Sequence, residues 1–218
     1  MKKTTVVFDL DGTLLDTLQD LANAVNYALA QQGMPKRTLE EVRQFVGNGV
    51  RLLMIRAVPD GESNPLFEET FALFKDYYGE HCNDNTKPYA GVVELIETLK
   101  KKGYAVAIVS NKIDFAVKEL NDLYLKGIVP VAIGEKEGIR RKPAPDTVYE
   151  ALKELGKTKE EAVYVGDSDV DIETAKNAGM PCISVLWGFR DKEFLAEHGA
   201  EYYAETADDV LRYIKEMK

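Results

Sequence analysis

The chain has 218 residues, 45% of them apolar and 30% charged. Those proportions are ordinary for a globular protein and exclude a disordered, collagenous or membrane-embedded chain. Its 28 basic and 37 acidic residues leave a formal charge of −9, which disfavours coating of a nucleic acid and leaves any anionic substrate to a few placed donors.

Val6-Val7-Phe8 reads as a buried strand that breaks into Asp9-Leu10-Asp11-Gly12-Thr13. Helical spacing follows over residues 18–32, with apolar side chains at 18, 21, 25, 28 and 29, until Gly33 and Pro35 stop it. Two further helices are expected over 39–45 and 50–58, separated by Gly47-Asn48-Gly49, and a fourth over 65–82. The pattern then alternates. Helices are predicted over 91–102, 115–125, 146–155, 169–178, 191–197 and 208–217, and strands over 104–109, 128–133, 162–165, 182–186 and 201–204. Alternation of this kind implies a parallel sheet covered by helices on both faces. Residues 1–16 and 85–218 are expected to form this α/β core, with 17–84 as an all-helical insert.

Asp9 ends the first apolar run too early for a secretory signal, and no stretch approaches the roughly 20 apolar residues of a membrane span. A cytoplasmic location is therefore expected. Cys82 and Cys182 form no CxxC pair and are expected to be free thiols.

Ligands of parallel α/β sheets bind at the carboxyl ends of the strands. Asp9 and Asp11 follow the first strand, Ser110 and Asn111 the 104–109 strand, Lys142 the 128–133 strand, and Asp167 the 162–165 strand. Asp171 stands four residues after Asp167, one helical turn on. Clustered carboxylates repel one another, and a divalent cation relieves this. An all-oxygen ligand set favours a hard ion, Mg²⁺ before Ca²⁺. Such a site suits phosphoryl transfer: one carboxylate attacks phosphorus, a second acid protonates the leaving oxygen, and a lysine with hydroxyl and backbone donors offsets the developing charge.

Asp9-Leu10-Asp11-Gly12-Thr13-Leu14-Leu15-Asp16-Thr17 resembles the signature of the haloacid dehalogenase-like phosphohydrolases. Val109-Ser110-Asn111, Lys142-Pro143-Ala144-Pro145-Asp146 and Gly166-Asp167-Ser168-Asp169-Val170-Asp171 resemble the family's later motifs, in the family's order. The resemblance implies a Rossmann-like three-layer α/β/α core with an inserted all-helical cap domain. It implies Asp9 as nucleophile and metal ligand, and Asp11 as general acid/base with its carbonyl on the metal. Ser110, Asn111 and Lys142 then match phosphate binders, Asp167 a Mg²⁺ ligand, and Asp171 a ligand or a carboxylate supporting one. Phe45-Val46-Gly47-Asn48-Gly49-Val50 with Leu53 resembles the cap loop of phosphoglycolate phosphatase-like members. Gly47, Asn48, Gly49 and Arg51 are thus candidate substrate residues, Arg51 as a bidentate partner for a carboxylate. Plainer readings stand beside these: Gly47 and Gly49 as a turn, Arg51 as a solvated side chain, Asp169 as a helix N-terminal residue, Asp16 and Thr17 as caps of the first inserted helix, and Trp187 as a packed aromatic near the rim.

The expected activity is Mg²⁺-dependent hydrolysis of a small phosphorylated metabolite, phosphoglycolate first, by a monomer or weak homodimer with no nucleic-acid or membrane partner. A mutase similar to β-phosphoglucomutase, a pyrophosphatase and a nucleotide 5′-phosphatase use the same core. Residues 18–30 hold neither His nor Lys, which argues for hydrolysis over mutase chemistry, and the presence of Asp11 argues against a dehalogenase. A binding protein on a degenerate version of the fold is the non-enzyme alternative.

Overall fold

The computed structural model describes residues 2–125 and 127–217. The chain divides into two compact units, Met1–Leu15 with Pro88–Lys218 and Asp16–Lys87.

The larger unit opens with β1 (Thr5–Phe8), and β2 (Leu15–Asp16) starts the passage to the smaller unit. The smaller unit holds α1 (Leu18–Gln31), α2 (Leu39–Phe45), α3 (Val50–Ala57) and α4 (Phe67–His81), after which β3 (Lys87–Pro88) leads back. β2 and β3 pair, so the two connections form a two-stranded ribbon. The larger unit then continues with α5 (Val92–Lys101), β4 (Ala105–Ile113), α6 (Asp114–Leu125), β5 (Val131–Glu135) and α7 (Asp146–Leu155). It closes with β6 (Ala162–Gly166), α8 (Asp169–Ala178), β7 (Cys182–Val185), α9 (Lys192–Glu197), β8 (Tyr202–Ala204) and α10 (Ala207–Glu216). None of the described helices is long and apolar enough to cross a membrane.

Six strands form one sheet in the order β5-β4-β1-β6-β7-β8, and each neighbouring pair is parallel. β1 is buried throughout, as expected of a strand with helices on both faces. Val6 and Phe8 pack with α5, α6 and α10. Val7 points the other way, toward α7 and α8. The expected three-layer architecture is thus the one observed. From β1 the chain builds outward to β4 and β5 on one side, then returns to lay down β6, β7 and β8 on the other. The strand order reverses beside β1, which places the open crevice of such a sheet at the carboxyl ends of β1, β4 and β6.

The helical unit has its own apolar core, in which Leu21, Val25 and Leu29 of α1 meet Leu53, Met54, Phe67 and Phe74. α2 begins with a capping box in which Thr38 and Glu41 exchange hydrogen bonds. At the start of α1, Thr17 takes the cap position without a side-chain bond, and the Asp16 carboxylate accepts from Leu18 N–H at 3.4 Å. Asp20 is 1% exposed. Its carboxylate accepts from the backbone N–H groups of Asn85 and Thr86, the Asn85 amide and the Thr86 hydroxyl, all at 2.8–3.0 Å. This carboxylate closes the unit by fastening its last residues to its first helix.

Asp20→Ala is expected to cost about 2–3 kcal/mol, because buried donors lose their acceptor. Asp20→Asn keeps one acceptor oxygen and is expected to cost less. Urea unfolding of the two variants checks both the loss and its order.

Candidate active site

Asp9 is the first residue beyond β1. Its amide donates to Val165 O at 2.9 Å, which carries the chain on beside β6. Asp9, Asp167 and Asp171 are all buried, and each offers a carboxylate oxygen within 4.8 Å of the others. Lys142 reaches this group from the segment after β5. Its Nζ lies 2.7 Å from Asp9 Oδ1 and 2.8 Å from Asp171 Oδ1, and the side chain is 4% exposed. Its backbone is held by Asn111, whose amide accepts from Lys142 N–H at 2.9 Å and donates to Lys142 O at 3.1 Å. The Asn111 side chain therefore acts on the lysine.

Asp171 is saturated. Oδ1 accepts from Lys142 Nζ and from the Tyr164 hydroxyl at 3.1 Å. Oδ2 accepts from Asp167 N–H, Ser168 N–H and the Ser168 hydroxyl, at 3.2, 3.1 and 2.6 Å. Those five donors exceed the roughly four lone-pair sites of a carboxylate. Asp171 is thus the anchor that orients Lys142 and starts α8. Asp167 takes fewer donors: Phe189 N–H at 2.7 Å and the Thr13 hydroxyl at 3.2 Å. The loop after β7 comes close enough to supply that amide because Gly188 has no side chain; a Cβ there would run into Asp167 and the Gly12 carbonyl. Gly12, with φ of +85°, would likewise drive a Cβ into the Asp167 carboxylate. Trp187 is a fastener, its indole N–H donating to Thr13 O at 3.0 Å. Asp169 lies in the first turn of α8, 3.7 Å from Arg190, as its helix-terminal reading expects.

Ser110 and Asn111 lie inside β4, not beyond it, and this corrects the predicted strand end at Val109. The physical reason is a bulge. Val109 pairs with Ile133 and Ile113 with Glu135, so four steps on β4 match two on β5. Bulges re-aim side chains. Ser110, Asn111 and Lys112 lie within this shift and are all buried, as a strand covered on both faces requires. Lys112 Nζ lies 3.0 Å from Asp11 Oδ1. Sequence reasoning missed Lys112 and Tyr164. The first directly follows the Ser-Asn pair, which is the signal that was there to use. The second stands in an apolar strand and reads as core.

The cap-loop candidates belong to the helical unit. Gly47 and Gly49 have positive φ, 130° and 83°, as a turn before α3 requires. Asn48 accepts from Arg56 at 3.0 Å. Arg51 is engaged by Glu62 and Glu68, at 2.9 and 2.6 Å, and lies over the rings of Phe67 and Phe71. Its fork grips carboxylates of its own unit. Cys82 and Cys182 take part in no disulfide.

Burial and then the Asp171 charge push Asp9 well above the ordinary carboxylate range, with Lys142 opposing. The same two causes push Asp167 up to about 7. Burial alone would lower the Lys142 ammonium, but Asp171 and Asp9 together hold it well above its ordinary value. Three buried carboxylates against one buried ammonium leave excess negative charge. The donor set is all oxygen, so the residues present fit a hard divalent cation. With Asp171 saturated, Asp9 and Asp167 are the carboxylates with capacity for it.

The family model for haloacid dehalogenase-like hydrolases matches residues 6–185, and the chain belongs to that family. It is 36% identical to a phosphoglycolate phosphatase of Aquifex aeolicus, over 84% of this chain and 85% of the relative. It is 34% identical to phosphoglycolate phosphatase 1 of Pseudomonas aeruginosa, over 94% and 78%. A crystal structure of a candidate phosphoglycolate phosphatase from Lactobacillus delbrueckii subsp. bulgaricus superposes with a TM-score of 0.95 at 38% identity, each chain covered completely.

The raised carboxylates set a pH dependence. In the folded state Asp167 keeps a proton that the unfolded chain has lost, so stability falls as pH rises from the ordinary carboxylate range through about 7. The thermal midpoint in EDTA is expected to fall between about pH 5 and about pH 8, and millimolar Mg²⁺ to restore it at the upper end. Asp167→Asn is expected to raise the metal-free midpoint at about pH 8 by about 2–4 °C and to remove the Mg²⁺ response. A midpoint in EDTA that stays flat across this window would contradict the charge assignment.

Proposed function

We propose that the protein is a Mg²⁺-dependent phosphomonoesterase acting on a small metabolite, with phosphoglycolate as its substrate. The carrying observation is the ammonium of Lys142 bridging Asp9 and Asp171 beside Asp167, at the carboxyl ends of the strands, where ligands of such sheets bind. The names of the relatives support the substrate.

Asp9 is the nucleophile. One of its oxygens attacks phosphorus, the bond from phosphorus to the ester oxygen breaks, and the electron pair leaves with that oxygen. Asp11 delivers the proton the leaving oxygen needs. Water then attacks the aspartyl phosphate, its proton returns to Asp11, and the bond from phosphorus to Asp9 breaks. The products are the alcohol and inorganic phosphate, with both acids reset. Lys142 neutralises the phosphoryl oxygens while keeping Asp9 aimed, and Ser110 adds a hydroxyl donor. Asp9 and Asp167, with the Asp11 carbonyl, would hold Mg²⁺, which would supply further charge neutralisation at the phosphoryl group. Asp171 stands behind Lys142 and holds it in place.

Phosphate release from phosphoglycolate, hexose phosphates, nucleoside monophosphates and pyrophosphate, with Mg²⁺ and with EDTA, tests this reading. Phosphoglycolate is expected to give the highest kcat/KM, and EDTA to abolish it. Asp9→Asn is expected to leave no turnover in a folded protein. Asp11→Asn is expected to lower kcat by about 10²–10⁴-fold, the usual worth of a positioned acid/base. Full activity of Asp9→Asn would refute the nucleophile assignment.

A further inference from the structure

Among the described residues, three lysines are buried: Lys3, Lys112 and Lys142. Lys3 donates to Glu160 O at 2.9 Å, just before β1 and β6 begin. Lys112 and Lys142 stand at the other end of the sheet. Lys142 serves Asp9 and Asp171. Lys112 serves Asp11.

We propose that Lys112 recognises a negative charge on the leaving group, which makes the preferred substrates phosphomonoesters of short hydroxy acids. This rests on the phosphatase reading, in which Asp11 meets the leaving oxygen. The ammonium lies 3.0 Å from Asp11 Oδ1, so it stands beside the leaving group. In phosphoglycolate the carboxylate is carried on the same carbon as the ester oxygen. A group that touches Asp11 is therefore within reach of that carboxylate while Asp11 touches the ester oxygen.

Two features argue that the placement serves more than stability. A buried ion pair is a poor stabiliser, because desolvation offsets the attraction and apolar side chains do as well. The Lys112 side chain is nevertheless 4% exposed, whereas Ile113 beside it is 44% exposed. The register shift between Val109 and Ile113 also brackets Lys112, and such irregularities re-aim side chains. An ammonium stripped of water forms strong charge-assisted bonds with a carboxylate. On a chain with a formal charge of −9, a dicarboxylate-like substrate has to find its cations individually. Lys142 takes the phosphoryl charge and Lys112 the second charge.

The test compares kcat/KM for 2-phosphoglycolate with that for ethyl phosphate, in which a methyl group replaces the carboxylate. Wild type is expected to favour phosphoglycolate by about 10–150-fold, the range for one charge-assisted hydrogen bond. Lys112→Met is expected to collapse this ratio toward unity, whatever loss the two esters share. Lys112→Arg is expected to keep most of it. A merely structural lysine would lower both rates together and leave the ratio where it was, and that result overturns the proposal. A wild type with no preference overturns it without any variant. If wild type with Mg²⁺ hydrolyses neither ester nor p-nitrophenyl phosphate, the phosphatase reading falls and this inference with it.

Discussion

The ammonium of Lys142 is the constraint on which the rest of the site depends. It is buried with carboxylates on two sides, 2.7 Å from Asp9 and 2.8 Å from Asp171. Four chain segments meet at that nitrogen: the end of β1, the stretch after β5, β6 through Tyr164, and the start of α8. Removing the lysine would leave buried carboxylates with no counter-charge, a costlier state than never having built the pair. Much of the surrounding architecture serves to keep it in place. Asn111 clamps its backbone from β4. Tyr164, 0% exposed, reaches both the ammonium and Asp171 from the strand beneath, at 3.2 and 3.1 Å.

Backbone devices make the convergence possible. Four steps of β4 stand opposite two of β5 where the buried polar residues Ser110, Asn111 and Lys112 lie. Gly12 and Gly188 let two loops close on Asp167 where any side chain would collide with it. These are violations of regular structure, and they concentrate at the strand ends where the chemistry lies. Lower in the sheet the ladder is regular: β1 pairs with β4 and β6 over four consecutive residues on each side without a shift.

The contrast explains what could be read from the sequence. Strand and helix order was legible because both rest on apolar period, which the two faces of the sheet and the amphipathic helices impose directly. Asp9, Lys142, Asp167 and Asp171 could be read as a convergent group, because polar residues beyond successive strands have few structural explanations. Three of them, Asp9, Asp167 and Asp171, come within 4.8 Å of one another, with Lys142 bonded to two. Lys112 and the strand end at Ile113 were not legible, since a bulge breaks the period on which a strand boundary is judged. Tyr164 was hidden because a tyrosine in an apolar strand looks the same whether its hydroxyl is idle or bonded. Asp20 was hidden for a different reason. Its partners are 65 and 66 residues away, and nothing local marks a helical aspartate as the acceptor that closes a unit. Arg51 shows the limit in the other direction: an arginine after a glycine turn suggested a ligand clamp, while Glu62 and Glu68 of the same unit already occupy its fork.

Charge placement ties stability to chemistry. A core made for stability alone would not bury Asp9, Asp167 and Asp171 together, since like charges in a low dielectric raise one another's proton affinity. Here the cluster is tolerated because the strands beneath it are packed on both faces, so the fold does not depend on the cluster for its cohesion. The division of labour among the carboxylates follows from their donors. Asp171 has its capacity filled by five donors and becomes part of the scaffold. Asp9 is held at one oxygen by Lys142, which leaves its second oxygen with capacity for a further partner. The same unbalanced charge is what a hard divalent cation would relieve.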